Sequence, residues 1–213
     1  MAAKAAFFVG CGFMPLIKML RTRSISPTLT PARASSTLRR VQKIGDLPPA
    51  TRILGVDPGL HRTGYGVIDD ERGRLCLVEG GILRAKADDE LPKRLQDLHD
   101  GLREVLRDHK PQIVVVEDLF STYAHPRSAL LMAHARGVLL LAAQEAGVPV
   151  HSFMPNEVKQ VVAGNGHATK SSVQSAVKAR LSLKSSLHPP DLADALAIAI
   201  CFALRQENAV RLR

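Results

Sequence analysis

Several things are scarce in this chain of 213 residues, and each scarcity excludes something. No stretch reaches 18 consecutive apolar residues, so no membrane-spanning helix is expected. Cysteine is limited to Cys11, Cys76 and Cys201, scattered and without a C-x-x-C pair. That excludes a zinc knuckle and a disulfide framework and fits a reducing compartment. Acid is nearly absent from residues 1–50, where eight Lys and Arg face Asp46 alone. The remaining 163 residues hold 21 basic and 19 acidic groups, so most of the net charge of +9 belongs to the leading segment. A strongly basic protein usually advertises a polyanionic partner. Here that advertisement comes from outside the domain, and nucleic-acid binding has to be argued from placed residues.

What is present is ordinary globular material: 46% hydrophobic and 23% charged residues, enough for one domain with a full core. Residues 1–50 stand apart, rich in Arg, Ser, Thr, Ala and Pro. Three readings fit them. One is a disordered leader, or a start assigned too early, with translation beginning at Met14, Met19 or later. A second is an organellar transit peptide. The third, a secretory signal, is the poorest, because Pro15 interrupts the apolar stretch from Ala5 to Ile17 and Ala32-Arg33-Ala34 lies far off. The domain is expected over residues 51–208, with a short tail at 209–213.

Within the domain, Arg52–Val56 reads as a strand stopped by the turn Asp57-Pro58-Gly59. Strands at Thr63–Asp69 and Leu75–Leu83 follow, joined by a turn at Asp70–Gly73, with a bulge expected at Gly80-Gly81. Leu91–His109 carries apolar residues at a helical period. Ile113–Val116 is a continuous β-branched run, the pattern of a central strand covered on both faces. A helix at Ser128–Ala146, a strand at Val148–Phe153 and helices at Asn156–Ala163 and Lys170–Leu181 precede a last helix. From Leu192 to Leu204 that helix is apolar on every side, which predicts complete burial. Three antiparallel strands followed by two parallel additions give a mixed five-stranded sheet flanked by helices. This order matches the ribonuclease-H-like fold better than a doubly wound parallel sheet.

Acids recur where this fold brings chain ends together. Asp57 ends the first strand, Glu117 and Asp118 end the fourth, and Asp191 and Asp194 share one face of the last helix. Each has an ordinary explanation as well. Asp57 suits a turn, Glu117 and Asp118 suit a solvated strand end, and Asp191 suits a helix N-terminus. Those explanations do not account for acids at the converging ends of three elements. Gathered together, four carboxylates repel one another unless cations intervene. An all-oxygen donor set favours Mg²⁺ or Mn²⁺ over zinc. Two such ions roughly 3.5–4 Å apart suit phosphodiester hydrolysis. Alternation sends Glu117 and Asp118 to opposite faces and does not choose between them.

The segments "RILGVDPGLHRTGYGVI", "VVVEDLF", "ARGV", "VKQVVAGNGHATKSSVQ" and "DLADALAIAI" resemble, in order and spacing, the motifs of the RuvC family of Holliday junction resolvases. The resemblance runs from about Arg52 to about Gln206 and leaves residues 1–50 uncovered. It implies a homodimeric, Mg²⁺-dependent endonuclease that nicks four-way DNA junctions at two symmetric positions, with two ions per site and Mn²⁺ as a substitute. It implies that Asp57, Glu117, Asp191 and Asp194 are the catalytic metal ligands, and so selects Glu117 over Asp118. It implies that Lys170 and Lys159 meet the scissile phosphate and DNA backbone, and that Phe120 stacks on bases near the crossover. By default, the two lysines would be solvated and Phe120 a packing residue. A branch-migration helicase complex is an implied partner, and no membrane is.

The resemblance further implies a cytoplasmic, nucleoid-associated protein, or an organellar one if residues 1–50 are a transit peptide. Leu130, Leu131, Leu139, Leu140 and Leu141 could supply the dimer surface, although packing inside one subunit would use the same residues. Competing expectations are a related RNA-processing nuclease, an ATPase of the sugar-kinase or actin type, and a catalytically dead junction binder. The ATPase would need two such domains around a cleft, and the full acid set argues against a dead binder.

Overall fold

The computed structural model describes residues 48, 50–119, 126–184 and 187–212. Five strands and five helices follow one another: β1 (Ala50–Asp57), β2 (Arg62–Glu71), β3 (Arg74–Arg84), α1 (Leu91–His109), β4 (Ile113–Glu117), α2 (Pro126–Glu145), β5 (Val150–Phe153), α3 (Pro155–Ala163), α4 (Lys170–Arg180) and α5 (Pro190–Arg211). They form one sheet of order β3-β2-β1-β4-β5, antiparallel across β3, β2 and β1 and parallel across β1, β4 and β5. Most expected elements appear within two residues of their expected limits. α5 extends to Arg211, beyond the domain end expected at residue 208. Residues 1–47 and 49, and the aromatic Phe120, lie outside the described residues.

The β2–β3 hairpin closes through Arg72 and Gly73 at φ 56° and 91°, the handedness that a two-residue hairpin loop requires. Asp70 Oδ1 accepts a hydrogen bond from the Gly73 N–H at 2.8 Å and fixes the turn. The bulge is not at Gly80-Gly81, where it was expected. Those glycines pair in register with Gly66 and Tyr65, and the register slips where Val67 and Ile68 face Glu79 and Leu77, leaving Val78 as the extra residue. The glycines serve close approach instead: a Cβ on Gly80 would strike the Leu192 side chain, and one on Gly81 would meet the Tyr65 ring.

Alternation along the central strands builds two separate cores. Leu54 and Val56 of β1 and Val114 and Val116 of β4 face one way, onto α1 and α2. Ile53, Ile113 and Val115 face the other way, onto α5, with α3 and α4 beyond it. α5 is therefore enclosed, with the sheet on one side and Val158, Val162, Val173 and Val177 on the other. That sandwiching explains why it can be apolar all round. Cys201 lies within this core, and burial pushes its thiol up to about 12. It is therefore a packing residue without thiolate character.

α5 lies close on the sheet because the strands beneath it are bare. A Cβ on Gly55 would collide with the Ala195 carbonyl and the Ala199 backbone, and one on Gly64 would collide with the Asp191 carbonyl. Alanine on the helix side and glycine on the sheet side bring two backbones together that ordinary side chains would hold apart.

Candidate active site

Each acid comes from a different structural cause. In the β1–β4 ladder Val56 pairs with Val116, so the next residues, Asp57 and Glu117, sit side by side at the carboxyl edge. Both follow the parity of Ile53 and Val115, and so they point to the α5 face. Asp57 is also paired with Gly64 across the β1–β2 ladder, and the Asp191 backbone rests on Gly64. The glycine thereby seats the first turn of α5 beside Asp57. Asp194 lies one turn on, along the same face of the helix.

Asp118 takes the opposite face. Its N–H donates to the Phe153 carbonyl at 2.8 Å, and its carboxylate pairs with Arg136 of α2 at 3.2 Å. The parity of β4 and the position of α5 thus bring Glu117, and not Asp118, to the other acids.

Asp57 lies within electrostatic reach of the other three acids. Burial pushes Asp57 up to about 8, and the charges of Glu117, Asp194 and Asp191 push in the same direction. Glu117 is also raised, first by burial and then by Asp194. A hydrogen bond with Asp57 opposes that rise, as do Lys159 of α3 and Lys170 of α4. Lys170 Nζ lies 3.4 Å from Asp194 Oδ2, and the Lys170 ammonium is raised chiefly by that carboxylate, with Asp57 and Asp191 adding to it. Lys170 is held at the start of α4, where the Thr169 hydroxyl accepts a hydrogen bond from the Ser172 N–H at 3.2 Å.

Two residues at the site were not anticipated. Arg62 of β2 pairs with Asp191 at 2.9 Å. The period of β2, which places it on the same face as Gly64, was the available signal. Arg136, inside the "ARGV" segment, donates from Nε to the Glu117 carbonyl at 3.2 Å and from Nη2 to Ser152 Oγ at 2.8 Å. Together with its Asp118 pair, it braces the end of β4 from which Glu117 projects.

Among the described residues, no three His, Cys, Asp or Glu side chains are gathered closely enough, as they stand, to hold a metal ion. Asp191 and Asp194 are each engaged by a basic side chain, Arg62 and Lys170. The donor set nevertheless fits a divalent cation. All four donors are carboxylates, and Asp57 and Glu117 are held above their ordinary range first by burial and then by neighbouring acids, whose charge a hard cation would offset.

The family model described as crossover junction endodeoxyribonuclease RuvC matches residues 53–202. The chain belongs to the RuvC family. A Rhodopirellula baltica protein named crossover junction endodeoxyribonuclease RuvC is 52% identical over 152 residues, covering 71% of this chain and 85% of the relative. The Bordetella avium protein of the same name is 45% identical over 152 residues, 71% of this chain and 83% of the relative. Among solved structures, Thermus thermophilus RuvC in complex with a Holliday junction substrate aligns with a TM-score of 0.71 at 35% identity, over 75% of this chain and 97% of that one. The yeast mitochondrial Holliday junction resolvase aligns with a TM-score of 0.56 at 15% identity, over 79% of this chain and 86% of that one, a likeness of fold alone. Family membership and the observed sheet agree: this RuvC-family domain has the ribonuclease-H-like fold.

Proposed function

We propose that this RuvC-family chain is a structure-selective endodeoxyribonuclease that resolves four-way DNA junctions by paired symmetric nicks, in recombination and repair. The observation that carries the reading is the convergence of Asp57, Glu117, Asp191 and Asp194, from three elements, at one edge of the sheet. The relatives' names favour DNA over structured RNA as the substrate. In this reading the four acids are the ligands of two Mg²⁺ ions, with Mn²⁺ able to replace them. Bound there, the ions supply Lewis-acid chemistry: a more acidic attacking water and a stabilised leaving 3′ oxygen.

The chain's own residues do the rest. The rigid β1–β4 pair fixes Asp57 and Glu117, and the brace from Arg136 limits movement of the β4 end. Lys170 and Lys159, both felt electrostatically by Glu117, lie where a phosphate approaching the acids would meet positive charge. Phe120, outside the described residues, is assigned to base stacking, worth roughly 1–3 kcal/mol per base.

A second copy of the chain is the proposed partner across α2. The helix has an inner side, Ala135, Leu139, Ala142 and Ala143, buried against its own subunit. Of the other leucines considered for the dimer, Leu131 and Leu140 are half-buried. Leu130 and Leu141 lie three turns apart on the outer side at 62% and 50% exposure, with Met132 also exposed. A two-fold dimer through that stripe would present two sites to a symmetric junction. A branch-migration helicase complex is a further proposed partner, and the nucleoid the proposed location. Among the described residues, no helix is long and apolar enough to cross a membrane.

The test is a mobile four-way junction incubated with the purified chain in Mg²⁺ or in EDTA. Paired nicks at symmetric positions in Mg²⁺, none in EDTA and none with Asp57→Asn are expected. Cleavage by the Asp57→Asn protein would reject the assignment of the acids.

A further inference from the structure

Arg62 has a position that the proposed chemistry does not use. It opens β2 two residues before Gly64, so both face α5, and the Asp191 backbone rests on that glycine. The Arg62 guanidinium stands 2.9 Å from Asp191 Oδ2. Its partner across the β2–β3 ladder is Arg84, a like charge that disfavours Arg62 in that direction. The favourable neighbour is therefore the carboxylate on α5.

We propose that Arg62 is a resident counter-cation of Asp191, competing with the divalent cation for that carboxylate. The inference rests on reading Asp191 as a metal ligand. The guanidinium occupies one acceptor site on Oδ2 and offsets the charge of the carboxylate, so an ion binding Asp191 meets a weaker donor than it would without Arg62. Lys170 stands in the same relation to Asp194, but at the longer distance of 3.4 Å and with a more exposed side chain. Arg62 therefore makes the tighter of the two pairs. Its function is to keep part of the acid cluster neutralised when metal is scarce, at a cost in metal affinity.

The test is a Mn²⁺ titration of the full chain without DNA, with free Mn²⁺ followed by electron spin resonance. Wild type is compared with Arg62→Ala and with Arg62→Met, which keeps the aliphatic stem. Both variants are expected to bind Mn²⁺ about two- to fivefold more tightly, the range that a partly exposed ion pair supports. Thermal unfolding supplies the second reading: in EDTA both variants melt below wild type, and saturating Mn²⁺ closes the gap. Equal or weaker Mn²⁺ binding by the folded variants, with wild-type binding abolished by Asp57→Asn, would overturn the competition and leave the metal site standing. Wild-type binding that is absent, or that survives Asp57→Asn, would overturn the metal reading together with this inference.

Discussion

Asp57 and Asp69 sit on paired strands at opposite ends of the same sheet, and their environments are opposites. Asp69 is held by a fork from Arg52, with Nε and Nη2 donating at 2.7 and 2.8 Å, and the pair holds its carboxyl below the ordinary range. Arg52 also donates to the His109 carbonyl, tying the end of α1 to the strand. Asp57 has burial and three other acids around it and is pushed up to about 8. One end of the sheet uses a carboxylate as a matched structural part. The other concentrates negative charge that the protein only partly balances. An excess that the fold does not correct is what a site for an outside cation looks like.

The largest break in this contrast is expected from Asp57→Asn. Cleavage should fall by at least about 10²–10³-fold, the scale for losing one electrostatic stabiliser, with junction binding largely kept. Asp69→Asn should leave cleavage unchanged. Nick assays and gel-shift binding on the two proteins decide the matter, and equal losses would erase the distinction between the two ends.

Gly64→Ala should come next. The added methyl would collide with the Asp191 backbone, forcing the first turn of α5 off the sheet. A loss of about 1–3 kcal/mol is expected from the overpacking, together with a drop in cleavage as Asp191 and Asp194 shift. Unchanged unfolding and unchanged nicking would show that α5 does not depend on this close approach.

The pH response sharpens the comparison further. Asp57 titrates higher in the folded chain than in the unfolded one. Its contribution is fully present below the unfolded value, about 4 for aspartate, and is lost as pH rises toward about 8. Asp69 has the reverse sign: its folded value is lowered, so its contribution is present above the ordinary value and is lost as pH falls through the folded one. In EDTA the wild-type melting temperature should decline across the Asp57 window, and Asp57→Asn should flatten that decline. Mg²⁺ should raise the melting temperature more at pH 8 than at pH 5. Equal Mg²⁺ shifts at the two values would argue against crowded acids as the metal site.

The smallest effect is expected from Arg52→Ala. The pair with Asp69 is about a third exposed, so solvent screening limits the loss to about 1 kcal/mol or less. Denaturant unfolding would measure it, and cleavage should be unchanged.

Element type and order were largely legible because the apolar periods were clear: four β-branched residues at Ile113–Val116, a helical period through Leu91–His109, and an all-apolar last helix. The bulge was not. A Gly-Gly pair signals either a bulge or a close approach, and only the position of Leu192 and Tyr65 shows which one holds. The leucines of α2 were legible as apolar but not as inner or outer, because that division depends on where the sheet and α1 lie. Arg62 was visible as a charged residue among glycines, but its partner Asp191 is 129 residues away in the chain.

By itself, the sequence determined the supply of acids and the ends of the elements on which they stand. Strand and helix periods are local properties, and so is the spacing of Asp191 and Asp194 on one helix face. Tertiary structure alone decided which acids meet. The parity of β4 against the side on which α5 lies put Glu117 at the site and gave Asp118 to Arg136, and the glycines at 55 and 64 set how closely α5 approaches. Those outcomes depend on steric contact between residues far apart in the chain, and no local pattern encodes that contact.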